Sequence, residues 1–450
     1  MLKTELLPSQ VEAVAKSRGH DGFAFFSEQR TGKSLAALAV ADERQPSALL
    51  IVCPKQAEWT WYKELAKHTP DDWIPTYIVT MGVFSNNRHA WKKWAKRTPN
   101  VMMIVDESHK IKKRGSKQSR ACRLVSKYCD IRILLTGTPI AQGIQDGWAQ
   151  FDCMMPGLLG TYAEFEEKYL RVVELKGAEG KSWKKIKGPK PEMVPAFNEI
   201  YHEYVYRITL NEARQRRGGK AIKTRRVKVP IELPPDTRAF YKEFKKNLEA
   251  EYNDNFFSVD STLARAMKLQ QLTGGFMKDE DGEWHQVSIA KLMALEKVLS
   301  GVGKRKIVIV CRFIPEIEAI KRMVLSLGLS VLIIRGGHPY KGEFNVDVII
   351  IQVQAGIAID LAAAGIIIFY SCDYSYIDYE QIRYRIRSYD TLQVTEYFLI
   401  CVKTVDELIY RAITEKRELA DLINEEYRRG YDGSRGASTT GQENPGSTTN

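Results

Sequence analysis

Ser27-Glu28-Gln29-Arg30-Thr31-Gly32-Lys33-Ser34 lies between a short apolar run, Phe23 to Phe26, and a helical stretch, Leu35 to Asp42. A loop joining a strand to a helix in this way turns successive backbone N–H groups and the positive end of the helix toward phosphate. In that reading Glu28, Gln29, Arg30, Thr31 and Gly32 form the cradle, Lys33 neutralises the terminal oxygens, and Ser34 holds Mg²⁺. Ser27 stands where the G-x-x-x-x-G-K-[ST] pattern has its first glycine, and Gly-Lys-Ser alone also fits a plain helix start.

A second signal narrows the choice. The apolar run Val101 to Val105 leads directly into Asp106-Glu107-Ser108-His109, which puts adjacent carboxylates at the carboxyl end of a buried strand, the edge where open α/β sheets bind ligands. Asp106 there can anchor Mg²⁺, and Glu107 can orient and deprotonate an attacking water. His109 completes the tetrad on the nucleotide side. A capping acid would explain Asp106 alone, but not the tetrad. A third run, Ile133 to Leu135, ends in Thr136-Gly137-Thr138-Pro139-Ile140, whose hydroxyls can hydrogen-bond the carboxylate pair and sense phosphate.

These loops need sheets to hold them. Phe23 to Phe26, Leu49 to Val52, Val101 to Val105 and Ile131 to Leu135 read as strands buried on both faces. A second series, Ile307 to Val310, Val331 to Ile334, Val348 to Ile351, Ile366 to Tyr370 and Val394 to Ile400, alternates with helical stretches such as Pro315 to Leu327. The fold class is α/β with two parallel sheets. Gly157 to Gln286 reads as helical, basic inserted material without a strong parallel-strand signal. The expected division is a first lobe over 1–229 with its insertion from about 157, and a second over 230–428 with a helical lead-in to about 290. A disordered tail is expected over 429–450, where apolar residues are almost absent.

Composition agrees with 450 residues forming two cores, at 44% apolar and 27% charged. No apolar run reaches bilayer length and no secretory signal is evident, so the chain reads as cytosolic, in the host cytoplasm if it is viral. The seven cysteines sit largely in apolar runs and read as reduced. No C-x-x-C pair exists, and Tyr206 replaces the second histidine that His202-Glu203 would need for a zinc helix. No metal site built from protein ligands alone is expected. A formal charge of +12 favours a polyanionic partner, though a solvated basic surface reads the same.

Taken in order, the three loops resemble the first lobe of a superfamily 2 helicase, and Asp-Glu-Ser-His with Leu-Thr-Gly-Thr-Pro-Ile resembles its SNF2-like branch. Leu7-Pro8-Ser9-Gln10 resembles the adenine-binding segment, with Gln10 in the adenine role, and Ile51 to Pro54 with Trp61 and Glu64 resembles motif Ia. Ile307 to Arg312 resembles motif IV, Gln354 to Leu361 motif V, and Tyr379 to Arg387 motif VI. The match runs to about Leu422, and the compact chain looks like the small SNF2-like proteins of phages and other mobile elements. The resemblance implies two RecA-like lobes, ATP and Mg²⁺ as cofactors, and motif VI arginines, Arg385 and Arg387, reaching the γ-phosphate. Motif V has Ile357 and Ala358 where glycines are expected, and Ser388 occupies the place of the second motif VI arginine.

Nucleic acid is the expected partner, duplex DNA above all. Basic clusters at Lys110 to Lys117, Lys181 to Lys190 and Arg214 to Lys228 suit a phosphate backbone, as they suit plain solvation. Lys112, Lys113, Thr136, Thr138 and Gln354 are candidate contacts. Trp91 to Arg97 interleaves aromatic and basic residues, as either a stacking platform or an amphipathic helix with its tryptophans in the core. The expected function is a DNA-dependent ATPase that translocates on duplex DNA. The rivals are a strand-separating DNA or RNA helicase and a DNA-binding module that has lost turnover.

Overall fold

The computed structural model describes residues 1–138, 143–176, 182–250, 259–278, 283–303, 305–335, 345–353 and 361–415. Pro139 and Ile140, Lys181, the motif V segment 354–360 with Gln354, and the tail over 429–450 lie outside them.

Sixteen strands occur among the described residues: β1 (Gly22–Phe25), β2 (Ala48–Cys53), β3 (Thr76–Thr80), β4 (Val101–Asp106), β5 (Ile131–Leu135), β6 (Leu170–Lys176), β7 (Ser182–Pro189), β8 (Val205–Tyr206), β9 (Lys223–Ile231), β10 (Phe276–Lys278), β11 (Trp284–Gln286), β12 (Ile307–Cys311), β13 (Val331–Ile334), β14 (Val348–Gln352), β15 (Ile366–Phe369) and β16 (Gln393–Cys401). The first sheet has the order β3-β2-β4-β5-β1-β8, with every pair parallel. Registers such as Phe25 against Leu135 and Asp106 against Leu135 bring the carboxyl ends of β1, β4 and β5 to one margin.

Successive strand residues point to opposite faces, and both faces here are covered. Phe23, Phe25, Ile51, Ile104 and Ile133 pack with Trp61 and the helix Lys33–Arg44, whose Ala36, Ala37, Ala39 and Ala41 allow close approach. Ala24, Phe26, Val52, Met103 and Val105 face the helices Lys117–Ser126 and Trp148–Met154. The second sheet runs β13-β14-β12-β15-β16-β9. Its core gathers Ile309, Cys311, Ile350, Ile368 and Leu399 against Ile317 and Ile320 of the helix Ile314–Ser326. These are two RecA-like lobes, each with its own core.

Two compact units follow from the contacts. One holds the described residues of Met1–Thr224, Ile357–Ala363 and Gln381–Val394, and the other those of Arg225–Gly356, Ala364–Glu380 and Thr395–Asn450. The helix Tyr376–Arg385 thus ends in the first unit, together with Arg385 and Arg387.

The structure departs from the sequence reading in several places. β3 is a strand the apolar pattern does not announce, because an edge strand exposes Tyr77 and half-buries its neighbours. The inserted region is not purely helical: β6 and β7 pair antiparallel with a register shift between Arg171 and Val172, and β10 pairs with β11. β8 joins the first sheet and β9 the second, one through only two residues and the other through a strand too basic to read as buried. Trp91 and Trp94 pack toward the core, their rings 6.2 and 5.1 Å from Tyr77, so the amphipathic-helix reading holds. All seven cysteines are free. No helix among the described residues is long and apolar enough to cross a membrane.

Glu316 is 1% exposed, and its Oε2 accepts the N–H groups of Arg312 and Phe313 and the hydroxyl of Ser371. Burial outweighs these donors and pushes the carboxyl up to about 7. A raised folded-state value means a contribution fully present below the ordinary carboxyl range and lost as pH rises through about 7. The second lobe is therefore expected to lose up to about 3 kcal/mol between pH 4.5 and 8 through this group. Urea unfolding across that window should show the decline in the wild type and a flatter profile in Glu316→Gln.

Candidate nucleotide-binding site

The loop after β1 begins with Ser27, which is buried, accepts the Ile208 N–H at 3.2 Å and donates to Tyr206 O at 3.4 Å. The hydroxyl thus ties the loop to the end of β8, which gives serine a use where the common pattern has glycine. Glu28 is fixed beside it: Oε2 accepts the Leu210 N–H at 2.9 Å and Oε1 the Tyr384 hydroxyl at 2.6 Å. Thr31 donates to Glu28 O at 2.7 Å. Arg30 has φ 67° and Gly32 φ 80°, left-handed conformations that a non-glycine residue holds only when its surroundings enforce it. Gly32 is the N-cap of the helix Lys33–Arg44, and no side chain caps that end.

Lys33 Nζ donates to the carbonyls of Ser27 at 2.9 Å and Glu28 at 3.0 Å, so the loop folds round its own lysine. Burial lowers the Lys33 pKa, while Glu107 and Asp106 oppose that shift and Arg385 adds to it. These four charges therefore share one neighbourhood. Gln10 packs on the loop from the helix Pro8–Ser17: Oε1 accepts the Leu7 N–H at 2.8 Å and Nε2 donates to Gly32 O at 3.1 Å. A Cβ at Gly32 would overlap Gln10 Nε2, so this contact needs glycine as much as the turn does.

At the end of β4 the two acids have opposite environments. Burial, with the neighbouring Glu107 charge adding to it, pushes Asp106 up to about 6 against the Trp61 hydrogen bond and the Lys33 charge. Burial alone would raise Glu107 as well. His109, Lys33 and Arg385 outweigh it and bring the carboxylate down to about 2. His109 Nδ1 lies 3.2 Å from Glu107 Oε2 and 2.9 Å from Thr136 Oγ1, and Thr136 Oγ1 accepts the Thr138 N–H at 3.2 Å. The third loop is thereby joined to the second through one imidazole. Gly137 adjoins the first loop, since a Cβ there would stand 3.3 Å from Gln29.

Glu107 itself has φ 50°. Its Oε2 is buried without an aligned hydrogen bond, as is Thr138 Oγ1. The unsatisfied Thr138 hydroxyl, an uncapped helix end and the half-buried Lys33 fit a polar ligand with anionic oxygens. Ser34 and Asp106 offer the oxygen ligands that Mg²⁺ takes.

Arg385 and Arg387 have different surroundings. Arg30 Nη2 donates to Arg385 O at 3.3 Å, and the Arg385 charge acts on both Lys33 and Glu107. Arg387 Nη2 donates to Thr224 Oγ1 at 3.1 Å, and its guanidinium lies 5.3 Å from the Tyr384 ring. Lys112 forms an ion pair with buried Asp146 at 3.1 Å, whereas Lys113 is exposed. Asp146 O also accepts from Gln150, whose Oε1 accepts the Ser108 hydroxyl at 2.8 Å. Much of the third basic cluster is engaged within the protein: Arg214 with Ser388 O and Thr391 O, Arg216 with Glu12, Arg226 with Glu396, and Lys228 over Tyr410. The Tyr384 bond to Glu28 and the Ser108–Gln150 link carry no signal in a linear pattern, because they join segments far apart in the chain.

Two parallel sheets with a phosphate-type loop and an acidic strand end on one margin define a P-loop NTPase architecture. Residues 74–272 match the SNF2-related domain. It is 23% identical to the mouse (Mus musculus) DNA annealing helicase and endonuclease ZRANB3 over 93% of its own length, and spans 40% of that protein. It is 22% identical to protein p41 of Acyrthosiphon pisum secondary endosymbiont phage 1, covering 74% of this chain and 73% of p41. Among solved structures, the Sulfolobus solfataricus SWI2/SNF2 ATPase core in complex with dsDNA aligns over 92% of this chain and 91% of its own, with TM-score 0.41 and 21% identity.

The low value at Glu107 depends on His109, so His109→Ala should leave a buried carboxylate without its main partner. The expected loss is about 1–3 kcal/mol at pH 7. Because a depressed carboxylate contributes stability only above its ordinary range, the deficit should shrink as pH falls from 4.5 toward 2. Urea unfolding of wild type and variant at pH 7 and pH 3 measures it.

Proposed function

We propose that the chain is a DNA-dependent ATPase that couples ATP hydrolysis to movement along duplex DNA. The observation that carries this reading is the meeting of Lys33, Asp106, Glu107 and Arg385, all half-buried, in one neighbourhood at the carboxyl margin of the first sheet. ATP supplies the scissile phosphoanhydride, and Mg²⁺ supplies charge withdrawal from its oxygens.

The protein's part follows from its own residues. Lys33 exchanges the carbonyls of Ser27 and Glu28 for phosphate oxygens, and the amides of the loop from Glu28 to Ser34 line the same anion. Gln10 holds the base side of the loop. Ser34 and Asp106 are the oxygen ligands for the ion. Glu107, held ionised, accepts a proton from water, and His109, against its Oε2, keeps the carboxylate oriented and links it to Thr136 and Thr138. Arg385 is placed to stabilise charge that grows during the reaction. Arg387 serves through Thr224 and Tyr384 instead, which makes Arg385 the better candidate for the arginine role.

DNA as the polymer is supported by the mouse relative, described as a DNA annealing helicase, and by the +12 charge. Duplex tracking follows from the SNF2-like resemblance. Contacts to the phosphate backbone suit a motor that must tolerate every sequence, and Lys113, Thr138 and Gln354 are the candidates for them. Lys112 is better placed to brace Asp146 and, through it, the turn that follows Glu107. The length shared with p41 suggests a compact phage-type motor.

ATP hydrolysis measured with no polymer, duplex DNA, single-stranded DNA and RNA, beside triplex-displacement and strand-displacement assays, tests the proposal. Duplex stimulation with triplex but not duplex displacement is expected, while strand displacement would make the chain an unwinding helicase. Lys33→Ala should abolish nucleotide use. Glu107→Gln should bind ATP and lose turnover by about 10²–10⁴-fold; rapid turnover in that variant removes Glu107 as the base.

A further inference from the structure

Trp61 is the largest fully buried side chain of the first lobe, 2% exposed, in the helix Glu58–His68. Its bicycle packs in the core with Ile51, Cys53 and Ile104, a setting that phenylalanine could share. An indole also carries one N–H, and a buried N–H needs an acceptor. That acceptor is Asp106: Trp61 Nε1 donates to Oδ2 at 2.9 Å. The other oxygen, Oδ1, accepts the Glu107 N–H at 2.8 Å. Each carboxylate oxygen therefore holds one donor, one from the helix and one from the chain itself, and together they fix the plane of the group. Lys33, which shares this neighbourhood, hydrogen-bonds backbone carbonyls, and Cys53 at the end of β2 has a thiol raised to about 12 by burial, with the Asp106 charge adding to it, and remains neutral. The fixed geometry thus comes from the indole and the Glu107 amide.

We propose that Trp61 is a positioning residue for Asp106, its indole N–H holding the carboxylate in the one orientation in which it receives the divalent cation of a bound nucleotide. This rests on the nucleotide reading of the site. Trp61 touches neither substrate nor ion and acts only through Asp106. A core tryptophan whose nitrogen is incidental would stabilise the fold without favouring metal-bound over metal-free nucleotide.

The test is equilibrium binding of N-methylanthraniloyl-ADP, read by fluorescence, in EDTA and in excess Mg²⁺; the ratio of the two dissociation constants is the contribution of the metal. Trp61→Phe should leave the EDTA value near wild type and reduce the Mg²⁺ ratio by about tenfold, as expected for loss of a hydrogen bond to a charged group. Installing β-(3-benzothienyl)alanine at position 61 keeps the bicyclic shape without the N–H. It should give the same loss, and it carries the test if phenylalanine compromises folding. In an Asp106→Asn background, Trp61→Phe should change the ratio no further, because the two residues act as one unit. A Mg²⁺ ratio equal to wild type in the isostere overturns the proposal, as does an equal weakening in both arms. A wild type that binds the nucleotide equally well with and without Mg²⁺ overturns the proposal alone, whereas one that binds it in neither arm overturns the nucleotide reading as well, and so the two failures are separated.

Discussion

The structure of the first lobe turns on one electrostatic constraint: Lys33, Asp106, Glu107 and Arg385, each half-buried, are held close together. Isolated buried charges are expensive, and arrays of them persist only where opposite signs and hydrogen bonds compensate one another. Here the balance is uneven. Glu107 is held well below the usual carboxylate range by His109, Lys33 and Arg385, whereas Asp106, one residue earlier, is pushed above it. Two adjacent acids with separated proton affinities are the arrangement expected of groups with separate tasks.

The sheet makes this possible because parallel strands deliver their following loops to the same margin. β1, β4 and β5 each end there, and the loops are then joined by contacts rather than by proximity alone: Gly137 against Gln29, His109 between Glu107 and Thr136, Gln10 onto Gly32. Left-handed backbone at Arg30 and Glu107 marks where the chain is held against its own preference. The loop carbonyls of Ser27 and Glu28 accept from Lys33. The lysine is thus drawn into place by the loop itself; in the proposed reading a triphosphate takes over from these carbonyls.

Much of this was legible in the sequence. Strands buried on both faces announce themselves as continuous apolar runs, and Ile131 to Leu135 and Val331 to Ile334 appear with the boundaries read from the pattern. The loop from Ser27 to Ser34 and the Asp-Glu-Ser-His tetrad stand out in the sequence because the chemistry read from them depends on neighbours in the chain. What escaped depends on neighbours in space. β3 is half-exposed, β8 is two residues long, and β9 is basic, so none shows the apolar run of a buried strand. The basic clusters read as free positive surface, yet Lys112 is paired with Asp146, and Arg214 and Arg216 satisfy internal acceptors. Spacing alone does not tell a lysine that meets solvent from one that braces a turn. Likewise Trp61 belongs to a recognisable segment, but only tertiary packing gives its nitrogen to Asp106.

The central claim is that three loops and Arg385 form one ligand site. Hydrogen–deuterium exchange of the free protein against the protein with Mg²⁺, ADP and beryllium fluoride, a mimic of the bound triphosphate, addresses it directly. Protection concentrated in 27–36, 106–109, 136–138 and the segment around Arg385 is the predicted result. Protection absent from these segments, or confined to one loop while the others exchange as before, would contradict the claim.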